Sequence, residues 1–72
     1  MIDTTQYPVQ VRANARLVDS GRKKIEQCPV AQQTEICVVL IADYNWQLEG
    51  VGEKVIPEKY QEEVKKELGL TE

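Results

Sequence analysis

The sequence predicts an α+β domain, a small antiparallel sheet of three or four strands with a C-terminal helix packed on one face. Three stretches carry the prediction. Val9, Val11, Ala13, Ala15 and Leu17 alternate with polar residues, which is the period of a half-buried strand. Ile36-Cys37-Val38-Val39-Leu40-Ile41-Ala42 contains no polar residue, and so short a run, rich in β-branched side chains, suits a strand covered on both faces. Pro57 to Leu68 carries helix signals at both ends.

Taken in order, residues 1 to 6 read as a loose terminus, and Pro8 suits the first position of the strand that follows, where a missing N–H does least harm. A helix opening at Asn14 competes with this strand, because Ala15, Arg16 and Leu17 are good helix formers. The alternation favours the strand because it spans nine residues, Val9 to Leu17. Asp19-Ser20-Gly21 is a turn signal. Arg22 to Gln27 reads as a short helix stopped by Pro29 or as a strand completing a hairpin, with the helix slightly favoured. Pro29 to Thr34 then forms a polar connection.

The central hairpin runs from Glu35 to Ile56, turning at Asp43-Tyr44-Asn45 and returning through Trp46 and Leu48. Trp46 and Leu48 set one phase and Val51 and Val55 the other, so the glycines at 50 and 52 predict a bulge between them. A backbone approached by a small ligand is a weaker reading of the same Gly-Val-Gly. In the last element, Pro57 suits a first helical position, Glu58 the positive end, Lys65 and Lys66 the negative end, and Gly69 a left-handed stop with Leu70 folding back on Val64. Its apolar stripe is only Tyr60, Val64 and Leu68, so this helix has to lie on the sheet.

At 72 residues the chain is a single domain, residues 1 to 72. A core of this size supplies a margin of only ~3–5 kcal/mol. There are two cysteines and no histidine, and Cys28 and Cys37 lack the spacing of a zinc or redox site. Cys37 reads as a buried structural thiol. No cofactor and no metal is expected. The N-terminus lacks the basic start and apolar stretch of a signal peptide, and no run is long enough to cross a bilayer, so a cytoplasmic protein without membrane contact is expected.

Charge is divided unevenly. Arg12, Arg16, Arg22, Lys23 and Lys24 lie before Pro29 with three acids, whereas the rest of the chain holds nine acids and four lysines. On a strand, Arg12 and Arg16 would project to one side about 13 Å apart, a spacing that can follow phosphates. The acidic balance and the lack of interleaved aromatics make nucleic acid the alternative partner and not the first. The hairpin tip, Tyr44-Asn45-Trp46, joins the single tryptophan to a tyrosine, two residue types enriched where proteins meet; Trp46 as an inward core anchor is an equal reading. The first strand, if it borders the sheet, offers an edge for a partner or a second copy, which makes a homodimer the preferred assembly. Catalysis is the poorest reading, because no ordinary general base is present near neutrality and neither thiol has a visible activator. The sequence therefore describes a small non-enzymatic binding or regulatory protein, an adaptor that docks through its aromatic tip or sheet edge.

Overall fold

The computed structural model describes residues 4 to 69, and these form three helices: α1 (Val9–Asp19), α2 (Val30–Tyr44) and α3 (Glu58–Leu68). Among the described residues there is no strand, only an isolated bridge between Gln47 and Val55. The α+β expectation is overturned, and with it the sheet, the hairpin and the strand edge. Short 3-10 turns at Thr4–Gln6 and Ile25–Gln27 complete the set.

The three prolines organise the helices. Pro8, Pro29 and Pro57 each stand immediately before a helix with φ of −55°, −54° and −56°. Each offers its carbonyl to the first turn, to Arg12, Gln32 and Tyr60 respectively. A proline costs nothing there, because its missing N–H would have had no intrahelical partner and its fixed φ is already near the helical value. Pro8 therefore opens a helix and not a strand, and Pro29 starts α2 as well as ending what precedes it.

The apolar pattern of α1 is helical. Its buried residues are Val11, Ala15 and Val18, at spacings of four and three, which is one face of a helix. Val9 is 71% exposed and Ala13 is exposed, so two members of the apparent alternation do not face the core. Arg12 and Arg16 accordingly lie one turn apart, about 6 Å along the axis.

The apolar run belongs to α2. Ile36, Cys37, Val38, Val39 and Leu40 are all buried; five consecutive residues point in every direction around a helix, so the middle of α2 is enclosed on all sides, while Val30 at its start and Ala42 and Asp43 near its end are exposed. α2 is the central rod against which α1 and α3 both pack. The segment from Val30 to Glu35, expected as a connection, is its first two turns. The core is a single cluster in which Val11, Ala15 and Val18 of α1, Val64 of α3, Ile25, Cys28 and Ile56 surround those five residues.

Of the expected elements, α3 is present as read, beginning after Pro57 and ending at Gly69 with φ 71°; Leu70 lies outside the described residues. It covers α2 and not a sheet. Cys37 is fully buried, and Cys28, 4% exposed, is buried too. Burial pushes the Cys37 thiol up to about 12, and Cys28 is also raised by burial. The terminus is not loose at residue 4: Thr4 is buried and its hydroxyl donates to Asp43 Oδ2 at 2.7 Å.

Between α2 and α3 the chain forms a clasped loop. Asn45 ends α2 in the left-handed region at φ 59°, which Asn tolerates better than most residues, and Trp46 N–H donates back to Leu40 O at 3.1 Å. Gln47 N–H then donates to Lys54 O at 3.0 Å and Ile56 N–H to Gln47 O at 2.9 Å, closing the base of the loop. Gly50 and Gly52 adopt φ of 134° and 127°, values open to glycine. They turn the tip and present Val51, 94% exposed; they mark no bulge.

Candidate functional site

The reversal at Asn45 brings Trp46 back toward the end of α1. There its indole Nε1–H donates to Asp19 Oδ1 at 2.9 Å, and the same oxygen takes Lys54 Nζ at 3.1 Å. Asp19 thus ties the loop to α1. These two donors, Trp46 first and Lys54 second, hold the Asp19 carboxyl below its usual range. On the far side Lys65 Nζ meets Glu49 Oε1 at 2.6 Å.

Beside this clasp lies an open cleft of about 320 Å³, formed by the end of α1, the segment around Ile25 and the returning limb of the loop. Its apolar lining is Val18, Ile25, Trp46, Val55 and Pro57, and its charged rim is Lys23, Lys24, Glu26 and Glu53. A larger hollow of about 600 Å³ runs along α3, but Glu58, Lys59, Gln61, Glu62 and Lys65 all come from that one helix. None of these lining residues is apolar, and the hollow reads as a solvated helix face. Small-ligand and side-chain sites combine an apolar floor with a few polar groups, so the Trp46 cleft is the better candidate.

The structure divides the residues that the sequence singled out. Of the aromatic set, Trp46 lines the cleft and is half-buried against the core. Tyr44 packs on the core from the last turn of α2, and Asn45 is the exposed helix stop. Of the basic set, Lys23 and Lys24 line the cleft and Arg22 precedes them. Lys23 Nζ also donates to Asn14 Oδ1 at 3.2 Å, and Asn14 Nδ2 to Gln32 Oε1 at 3.2 Å. Arg12 and Arg16 lie on the flank of α1 that carries Asp19, since residues seven and three apart share a helix face. Arg12 Nε is buried without a hydrogen-bond partner. The five basic residues therefore do not form one row.

Sequence reasoning missed Asp19, Val18, Ile25, Val55 and Glu53. Val18 was recoverable as the third member of the Val11, Ala15, Val18 stripe. Asp19 reads in the sequence as a turn former or as a cap for a short helix after it, and no local pattern signals its reach to Trp46.

The clasp titrates in a definite direction. A carboxyl lowered in the folded state contributes stability above its ordinary pKa of ~3.9 and loses that contribution as pH falls through the folded value. Trp46 emission is therefore expected to stay constant on acidification to about pH 4 and to change only below it. The same titration of Asp19→Asn, which keeps an acceptor oxygen but carries no charge, should lack that step. A step at or above the ordinary value would show that Asp19 does not hold the indole.

No helix among the described residues is long and apolar enough to cross a membrane, and no group of candidate metal ligands occurs among them. No protein-family model, curated protein or solved structure matches the chain, so its function has to be argued from the cleft.

Proposed function

We propose that this chain is a small non-enzymatic binding or regulatory protein of the cytosol that docks on a partner protein, and that the Trp46 cleft receives the partner. The observation that carries the reading is the position of Trp46, held by Asp19 in the lining of an apolar floor with a charged rim. An aromatic side chain whose rotamer is fixed before binding loses little entropy in the complex, and tryptophan is among the residues that dominate protein interfaces. Two further features agree. The thiols of Cys28 and Cys37 are free and buried, as suits a reducing compartment. Their raised pKa leaves them protonated near neutrality, where a thiol is a poor nucleophile.

Nucleic acid is the second reading, and it rests on Arg12 and Arg16, neither of which joins an ion pair among the described residues. Its weakness is that Arg12 and Arg16 lie on α1 whereas Arg22, Lys23 and Lys24 follow it in the chain, so the five form no single row. The homodimer expected from a strand edge loses that basis, since no strand occurs among the described residues.

The test is an affinity capture from the native cytosol at low and moderate salt, with and without nuclease, using the wild-type chain and Val55→Gln. Val55 lines the cleft and is partly exposed, so this change roughens the floor without opening the core. A protein retained in stoichiometric amount through both salts by the wild type, and lost by Val55→Gln, supports docking through the cleft. Retention that nuclease or moderate salt abolishes moves the function to phosphate contacts, which release counterions and weaken with salt. Equal retention by both chains overturns the cleft as the site.

A further inference from the structure

The rim of the cleft is not electrically balanced, and the imbalance specifies its occupant. The four ion pairs among the described residues use Lys54, Lys59, Lys65 and Lys66, with Asp19, Glu26, Glu49 and Glu63. Every lysine of the second half is thus paired, while Arg22, Lys23 and Lys24 are in none of these pairs. Of the two acids on the rim, Glu26 is answered by Lys59 at 3.5 Å, which leaves Glu53. With Glu26 answered, the entrance to the cleft carries two cations outside these pairs, Lys23 and Lys24, against one such anion, Glu53, and exposed Arg22 adjoins it between the lining residues Gly21 and Lys23, on a chain whose net charge is −3. At physiological salt, charges beyond about 8 Å are screened, so a bound segment feels this local excess and not the acidic whole.

We infer that the occupant is a short acidic peptide segment of a partner protein, one that places a large apolar side chain on Val18, Ile25 and Trp46 and sets carboxylates against Lys24 and Arg22. The inference rests on the docking reading above and adds the chemistry of the partner. The size agrees: about 320 Å³ lies at the small end of ligand clefts, ~300–1,000 Å³, enough for one or two side chains of a passing chain. Lys24 is exposed and Arg22 is exposed, so both reach outward to a rim contact. Lys23 is steadied by Asn14 and contributes mainly to the local potential. Opposite charge at a rim speeds encounter and selects among partners more than it adds affinity, so the apolar anchor holds the segment and the cations choose it.

The experiment is selection of a displayed random peptide library on the intact chain, followed by binding of the enriched peptides to the wild type, to Lys24→Glu and to Val55→Gln. The expected pool carries one aromatic or aliphatic anchor flanked by Asp or Glu. It should bind Lys24→Glu about tenfold more weakly, a difference of ~1.4 kcal/mol, and a version with Lys in place of its acids should recover on that variant. Both substitutions are on the rim or partly exposed, and an unchanged circular dichroism spectrum confirms that each chain is folded. A pool with an apolar anchor but no acidic residues, sensitive to Val55→Gln and indifferent to Lys24→Glu, overturns the acidic partner while leaving docking in the cleft intact. A pool unaffected by Val55→Gln, or no pool above an unrelated control protein, overturns both.

Discussion

Leu40→Ala is expected to remove about 3–4 kcal/mol of stability, most of the roughly 3–5 kcal/mol that a single core of this size supplies. Leu40 is fully buried on the helix that both other helices cover, so the lost side chain leaves a cavity that neither neighbour can close without moving away from the other. Urea unfolding followed by far-UV circular dichroism should show a chain only marginally folded at room temperature. The comparison of Val9→Ala with Val11→Ala sharpens the test. On a strand both valines would face inward and cost alike. On α1, Val11 is fully buried and Val9 is 71% exposed, so Val11→Ala should lose about 1.5–3 kcal/mol and Val9→Ala almost nothing, since alanine is also the better helix former. Equal losses at the two positions would contradict the helix.

That comparison also marks where the sequence was ambiguous. In α1 the residues at odd positions from Val9 to Leu17 are all apolar, and a period of two fits them; the operative stripe includes Val18, at an even position, and excludes Val9 and Ala13. In α2 the ambiguity is inherent. An uninterrupted apolar run satisfies a strand buried on two faces and a helix buried all round, and periodicity does not separate them. Length would have, had the element been measured from Pro29 and not from Ile36, because Gln32, Gln33 and Glu35 are helix formers that extend it to 15 residues. The C-terminal helix was legible because its signals are local: proline and glutamate at the start, lysines in the last turn, glycine after it.

The site followed the same division. Trp46, Lys23 and Lys24 stand out one by one as an aromatic anchor and a basic cluster, and the structure places all three on one cleft. Their meeting depends on the reversal at Asn45 and on the bond to Asp19, 27 residues away in the chain. Neither is a periodic or local feature, so the sequence presents as two separate surfaces what the fold makes one. The fold also decides between the two readings of Trp46 by satisfying both: the indole packs against the core cluster and its remaining surface lines the cleft.

This double role fixes the outcome of Trp46→Ala. Complete truncation of a buried tryptophan costs about 3–5 kcal/mol; Trp46 is half-buried, so a loss of about 2–3 kcal/mol is expected, with a fall in Tm of roughly 10–20 °C for a domain of this length. Asp19 would keep Lys54 but lose the indole donor, and the base of the loop, held by Gln47, Lys54 and Ile56, would remain. Trp46→Phe separates the two contributions, because it keeps an aromatic ring on the core while deleting the N–H that reaches Asp19; it should unfold between the wild type and Trp46→Ala. Loss of partner binding by Trp46→Ala alone would thus be uninformative, since the variant is weakened as a fold, and the rim and floor changes at Lys24 and Val55 are the ones that isolate recognition. A loss below about 1 kcal/mol for Trp46→Ala, with the fold intact and binding abolished, would instead place the indole outside the core and make it a contact residue only.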